Sequence, residues 1–477
     1  VFLLDLAAAL PEFSNPFAVS WFLFTHGGWV IVLAAAIYGL VQLWVYWRQN
    51  LWFAKQRFVL LAIDVPRDNE QTPKAVEHIF AHIHGIHKNP NLREKYIDGY
   101  VQPSISLELI SIDGYIQFLI RAPVQFRDLV EAAIYAQYPN AEISEVDDYT
   151  ASFTPLFPNE SYNLWGAEVS LINKDVFPIR TYPAFEHPLT QTFLDPMASL
   201  LEMMGRLRAG EQIWFQWVIA PPPNEAWRER GIRIIKKLIG SKAPSSKSTL
   251  DSLGWLPGQV FQGLTESFTG SSVFGEGATS TRNDNGPPTL MQHLPPHERN
   301  IVEAIGFKIS KLSFATKFRF IYLAEHEVFN KASRIAPVWG AFKQLSALDL
   351  NGFKPDKKTK TTIDYFFKER RENARKQRLL WGYKYRSNWR GRNRYMLNTE
   401  ELATLWHFPV ITVKAPLVQK TQAKRGEPPI ALPVGPRSTA TPPSPLTPKA
   451  PPPTRLPHES SPGPVSTPTV PDNLPIA

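Results

Sequence analysis

The sequence predicts an α+β protein with an N-terminal single transmembrane helix, a ferredoxin-like βαββαβ domain, a second α/β sandwich and a disordered Pro-rich C-terminal tail. Three observations carry that expectation. Gly28 to Trp47, GWVIVLAAAIYGLVQLWVYW, contains no formal charge and at about twenty residues is long enough to cross a hydrocarbon core as one helix. Between residues 58 and 149 the hydrophobic period alternates between that of strands and that of helices in the order βαββαβ. Beyond about Pro428 the chain is Pro, Ser and Thr with hardly any aromatic residue, too little apolar surface to offset the entropy of ordering.

The apolar run has aromatic ends: Trp29 near its start, and Trp44, Tyr46, Trp47 and Trp52 at its end, where amphipathic rings favour the headgroup zone. Gln42 is its one strongly polar interior residue, suited to polar contact between neighbouring helices. A buried core helix would show a polar face over this length, and a cleaved signal would carry its positive charge before the apolar run. Here Arg48, Lys55 and Arg57 follow it, whereas Asp5 and Glu12 precede it. The positive-inside rule then places the C-terminal part in the cytoplasm of a single-pass inner-membrane protein, with its N-terminus outside. Residues 1–27 hold two shorter apolar runs broken by Pro11 and Pro16, which read as an interfacial or re-entrant extracytoplasmic segment.

The 477 residues are 43% hydrophobic, enough for two or three domains with real cores. No cysteine is present, which excludes disulfide scaffolds and thiolate metal sites and fits a reducing compartment. A net charge of +9 and a pI near 9.4 favour anionic partners.

The first domain, 56–150, opens with the buried strand FVLLAIDV, 58–65. Thr72-Pro73 starts a helix with the stripe Val76, Ile79, Phe80, Ile83. Ile105 to Ile112 and Tyr115 to Arg121 form a hairpin through Asp113-Gly114. A helix over 126–138 and a strand over 141–149 complete the set. The second domain, 160–350, has expected strands at 167–172, 211–220 and 314–324, and expected helices over 195–207, 225–239 (basic, capped by Asn224), 297–308 and 328–348, the last interrupted at Pro337. Residues 240–288, rich in Ser, Gly and Thr, read as a disordered insertion. These elements can make a second ferredoxin-like unit. Segment 361–427 is basic and helical, then aromatic, with a short helix 399–407 introduced by Asn398 and Glu401 as a capping box. The tail is 428–477.

A nucleotide motor would need G-x-x-x-x-G-K-[ST] after a strand. The nearest approach, Gly240-Ser241-Lys242 with Ser246 to Thr249, lacks the glycine before lysine. His78 and His82 have the i, i+4 spacing of a chelate, but His84 and His87 point elsewhere on a helix. A solvated face is the simpler reading there, as it is for Glu325-His326-Glu327, and no metal or cofactor is expected. The sharpest charge feature is KERRENARKQRLLWGYKYRSNWRGRNR, 368–394. Arg370, Arg371, Arg375, Arg390 and Arg392 can neutralise phosphates while Trp381, Tyr383 and Trp389 stack on bases. The same residues suit anionic lipid, or form a solvated helix followed by a packed strand.

FVLLAIDVPRDNEQTPKAVEHIF, SLELISIDGYIQFLIRAPVQFRDLVEAAIYAQYP, GEQIWFQWVIAPP and LNTEELATLWHFP resemble the membrane-anchored region that precedes the motor in type IV secretion or conjugative coupling-type ATPases. The form they most resemble is a domain of unknown function from small-genome candidate-phyla bacteria. The resemblance spans roughly residues 20 to 432. In that family a motor follows the counterpart of PLVQKTQAKRGEPPIALPV, where this chain has its Pro-rich tail, so no catalytic residue carries over. The resemblance implies a non-catalytic, membrane-anchored subunit or scaffold of a translocation apparatus. Its partners would be a separate motor ATPase or channel subunits and further copies of itself. A membrane-tethered nucleic-acid-binding protein is the alternative.

Overall fold

The computed structural model describes residues 21, 24–25, 29–66, 69–186, 193–239 and 294–410. The expected 1–27 segment (apart from 21, 24 and 25), Gly28, the 240–288 insertion and the 428–477 tail therefore lie outside the described residues. The elements are α1 (Trp29–Ala54), β1 (Phe58–Asp64), α2 (Pro73–Ile83), β2 (Ile105–Ile112), β3 (Tyr115–Pro123), α3 (Arg127–Gln137) and β4 (Glu142–Glu145). They continue with β5 (Tyr162–Leu171), α4 (Ala198–Gly205), β6 (Glu211–Ala220), α5 (Ala226–Leu238), α6 (Pro296–Ser310), β7 (Ser313–Glu325) and α7 (Lys331–Lys343). The last are β8 (Phe353–Pro355), α8 (Lys368–Lys384), β9 (Tyr395–Asn398) and α9 (Thr399–Leu405).

All nine strands join one sheet in the order β4-β1-β3-β2-β6-β7-β5-β8, with β9 added to β7. Every pairing among the described residues is antiparallel. Two halves of equal topology are visible in that order. β1-α2-β2-β3-α3-β4 assemble as β4-β1-β3-β2, and β5-α4-β6-β7-α7-β8 assemble as β8-β5-β7-β6. The second strand of each half pairs with its counterpart, Ile105↔Ile219 through Ile112↔Gln212, so the two expected regions share one continuous sheet. α5 and α6 lie between β6 and β7 in the chain.

Local chemistry explains most boundaries. Asp113 and Gly114 have φ of 54° and 90°, the left-handed pair of a tight hairpin. α2 starts at Pro73 after Thr72, whose side chain makes no capping bond. α9 has the full capping box: the Glu401 amide donates to Asn398 Oδ1 at 2.8 Å and the Asn398 amide to Glu401 Oε2 at 2.9 Å. Three expectations are corrected. β4 ends at Glu145 because Asp148 turns the chain, accepting from the Thr150 amide (3.0 Å) and hydroxyl (2.7 Å). α7 continues through Pro337; burial of Ile335, Val338, Ala341 and Phe342 outweighs the missing donor. α5 has Glu225 rather than Asn224 at its N-cap position, without a side-chain capping bond, while Asn224 Oδ1 accepts from the Ala226 amide at 3.3 Å.

Side chains alternate across the sheet. One face buries Leu61, Leu107, Phe118, Phe215, Phe318 and Phe320 under Val76, Ile79, Phe80, Val130, Leu201, Phe342 and Trp406 of the helical layer. The other buries Leu60, Leu119, Leu164, Trp214 and Ile321 beneath Leu379, Leu380 and Tyr383 of α8.

α1 is a 26-residue helix, about 39 Å long at 1.5 Å per residue. Val32, Leu33, Ile37, Leu40 and Leu43 are exposed around it. Among the described residues no helix is long and apolar enough to cross a membrane. The C-terminal end of α1 docks on the turn Glu94–Asp98. The Trp44 indole donates to the Tyr96 carbonyl at 3.0 Å, and the Arg48 guanidinium to the Ile97 carbonyl. A Cβ on Gly99, at φ 70°, would lie 2.4 Å from the Arg48 carbonyl carbon, so glycine permits that approach.

Candidate anion-binding groove

The site begins with a row of polar residues inside the sheet. Glu108 on β2, Gln216 on β6, Arg319 on β7 and Glu168 on β5 are successive cross-strand partners. None is more than 3% exposed. Gln216 Nε2 donates to Glu108 Oε1 (3.1 Å), Arg319 Nη1 to Gln216 Oε1 (2.9 Å) and Arg319 Nε to Glu168 Oε1 (3.2 Å). A buried polar row persists only when its members are satisfied. The partners that complete it come from the basic segment.

Arg386, held at φ 48°, donates from Nε to Glu108 Oε1 (2.9 Å) and from Nη2 to Glu108 Oε2 (3.2 Å), and its guanidinium also pairs with Asp148. Tyr149 and Ser106 hydroxyls donate to the same carboxylate at 2.8 and 2.7 Å. Burial pushes the Glu108 carboxyl up, but the Arg386 charge and these hydrogen bonds bring it below its ordinary value. Burial likewise raises Asp148, and Arg386 again reverses the sign. Farther along, Arg319 donates to the Ser387 carbonyl, Lys317 to the Arg390 carbonyl, and the Arg392 amide to Glu168. Burial, offset only in part by Glu168, pushes the Lys317 ammonium down to about 8. Gly391, at φ 90°, passes so close that a Cβ would stand 2.2 Å from Glu168 Oε1.

The loop pinned in this way and α8 enclose a cavity of about 730 Å³, with Glu168 and Arg319 among its lining residues and Arg375, Arg378, Arg390 and Arg392 beside them. It shares Lys358, Arg375 and Arg378 with a second hollow of about 500 Å³ that reaches Phe367, Arg370 and Arg371. Arg371, Arg375 and Arg378 recur at i, i+4 and i+7, one stripe of α8. Both carboxylates in the groove are engaged: Glu168 by Arg319, and Asp356 by Arg392 at 2.5 Å. Among the described residues Lys358, Arg370, Arg371, Arg375, Arg378 and Arg390 form no ion pair. Partial burial and the neighbouring Arg371 and Arg378 charges lower the Arg375 guanidinium, a sign of crowded positive charge. The N-terminus of α8, without a side-chain cap, adds partial positive charge at the same end. Chemically, the groove is built to receive several negative charges.

The expected site residues divide into three sets. Arg370, Arg371, Arg375, Arg390 and Arg392 line the groove. Trp389 is exposed, while Trp381 is half-buried between the Arg390 guanidinium (3.6 Å to its centroid) and the Tyr385 ring (4.5 Å); it holds the loop. Tyr383 is a correction: it is fully buried against Trp214 and hydrogen-bonded to Tyr149 at 2.7 Å, because its helix face is the one that packs on the sheet. The sequence reading missed Lys358 and Arg378, and also Tyr365, Phe366 and Phe367, which are 77%, 84% and 80% exposed. Three consecutive aromatics between basic runs were the available signal.

Elsewhere, Trp29, Trp44, Tyr46 and Trp47 are exposed along α1, with Gln42 exposed and Arg48 half-buried over the Trp44 and Trp47 rings. His78 and His82 face solvent, and His84 packs on Phe314 at 5.2 Å. No group of three or more His, Cys, Asp or Glu among the described residues is placed to hold a metal ion. Compared with known proteins, the chain matches no protein-family model, and no curated protein matches it.

Proposed function

We propose that this protein is a membrane-tethered, single-stranded nucleic-acid-binding subunit of a translocation apparatus, with its motor on a separate chain. One observation carries the binding role: six cations without carboxylate partners line one groove, with the exposed ring of Phe367 in its lining and the exposed Trp389 next in sequence to Arg390. Cations neutralise successive phosphates and aromatic faces take unpaired bases in any sequence, so a single strand fits better than a duplex. The uncharged apolar run 28–47 of the sequence carries the tether, and the exposed apolar side chains and terminal Trp residues of α1 support it. The sheet order of each half suits a ferredoxin-like repeat. The apparatus and further copies of this chain rest on the sequence resemblance, and the cytoplasmic placement of the sheet on the positive charge of Arg48, Lys55 and Arg57 after the apolar run.

The test uses the full chain in nanodiscs and fluorescence anisotropy with a labelled oligothymidylate. Affinity should fall steeply with salt. Changing Arg370, Arg371, Arg375 and Arg378 together to Ala should flatten the log–log slope by about 3, at about 0.7 per phosphate contact. Binding with an unchanged slope would remove this reading. Crosslinking in native membranes should then recover a motor or channel component; recovery of neither removes the apparatus.

A further inference from the structure

A second basic surface, on α5 and α6, plays no part in the groove. α5 buries Trp227 and Gly231; a Cβ on Gly231 would stand 2.7 Å from Ile309 Cγ2 of α6, so this face is closed. Outward it carries Arg228, Arg230, Arg233, Lys236 and Lys237. Arg228 meets Glu225 at 3.3 Å and Arg230 meets Asp175 at 3.6 Å, whereas Arg233, Lys236 and Lys237 form no ion pair among the described residues. Apolar residues stand exposed among these cations and on the neighbouring helix: Ile232, Leu238, Phe307 and, just past α6, Leu312. Cations around protruding apolar side chains make the pattern of a helix that lies on an anionic lipid surface.

The register says where this surface sits. β1 begins where α1 ends, and Phe58 lies opposite Pro123 at the end of β3. The same end of the sheet holds Ile105 opposite Ile219, and Ala220 opposite Ala315, so β6 ends and β7 begins there. Direct contacts bridge the distance. Trp52 of α1 packs on Tyr100 (5.2 Å), Lys88 lies over Tyr100 (5.4 Å), and His84, four residues before Lys88, packs on Phe314 at the start of β7 (5.2 Å). α8 reaches the other end, where Lys376 bonds Asn163 at 2.8 Å and Asn163 lies opposite Ala324.

We infer that α5 and the end of α6 form a membrane-facing surface that binds anionic phospholipid headgroups and holds the sheet against the bilayer. The inference rests on α1 spanning that bilayer. A chain without native cysteine permits single-site labelling. Full-length Val41→Cys, Leu238→Cys and Phe366→Cys, each with a fluorophore, are placed in nanodiscs of phosphatidylcholine alone or with phosphatidylglycerol, and quenched by lipid-borne nitroxides. The label at 41 should be quenched by acyl-chain nitroxides in both discs. That at 238 should be quenched by headgroup nitroxides in the anionic disc, severalfold less in the neutral disc, and severalfold less again after Arg233, Lys236 and Lys237 are changed to Gln. That at 366 should not be quenched. Quenching at 41 without quenching at 238 in the anionic disc overturns the lipid surface and leaves the tether standing. No quenching at 41 overturns both. A label at 238 shielded from lipid nitroxide and aqueous iodide alike means that protein covers this face, the 240–293 connection or a second copy, and also overturns it.

Discussion

The two faces of the sheet solve the same packing problem with different chemistry. One meets its helices through Leu, Ile, Phe and Trp contacts; the other adds a buried row of charge and amide, Glu108–Gln216–Arg319–Glu168, capped by the loop that follows α8. Apolar packing is non-directional and tolerates small shifts. A buried carboxylate is costly unless a matched cation reaches it in defined geometry. The apolar face therefore supplies adhesion, while the polar face fixes the register of one loop, and with it the positions of Arg390 and Arg392.

The largest expected effect breaks the polar face. Arg386→Met leaves Glu108 buried without its cation and should cost about 3–5 kcal/mol in denaturant unfolding; adding Glu108→Gln should recover part of the loss. A double variant no more stable than the single one would show that the pairing is not what holds the loop. The pH dependence sharpens the contrast. Glu108 and Asp148 titrate below their ordinary values of 4.5 and 3.8 in the folded protein. Their contribution is complete above the unfolded values and is lost as pH falls through the folded ones. This acid loss should be smaller in Arg386→Met, where the Arg386 charge no longer opposes burial at Glu108 and Asp148.

On the apolar face, Ile79→Ala should cost about 2–5 kcal/mol as a cavity, with the acid profile of stability keeping the shape of the parent. A comparable change of shape in both variants would dissolve the distinction between the faces. Gly391→Ala comes next, at about 1–2 kcal/mol for its φ of 90°, plus displacement of the loop from Glu168. Its effect on oligonucleotide affinity should exceed its effect on unfolding; equal affinity would show that the loop does not shape the groove. Least of all, Arg375→Ala should move stability by about 0.5 kcal/mol or less, yet weaken oligonucleotide binding and lower its salt slope by about 0.7.

The strand ISLELISI shows how far the sequence could be read. Alternation alone marks Ser106, Glu108 and Ile110 as one face, and the usual reading of such a glutamate is solvent. Its cation is Arg386, 278 positions later, and nothing local to either residue announces the pairing. The basic segment was legible as charge, and five of its expected arginines do line the groove. Tyr383 was not legible as core, since a tyrosine among arginines looks the same whether its helix face meets the sheet or water.

By itself the sequence determined what depends on neighbours in the chain: the Asp113-Gly114 hairpin, the Asn398–Glu401 capping box, the amphipathic stripe of α2 and the helical conformation of the run that becomes α1. Backbone sterics, capping geometry and hydrophobic period act within a few residues, so composition and order suffice. Only the tertiary structure decided that the two halves join through β2 and β6, that α8 covers the second face, and that Lys358, Arg378 and Arg390 meet in one groove. Those contacts are set by strand pairing and charge burial between distant segments, and each is favourable only once the whole sheet is in place.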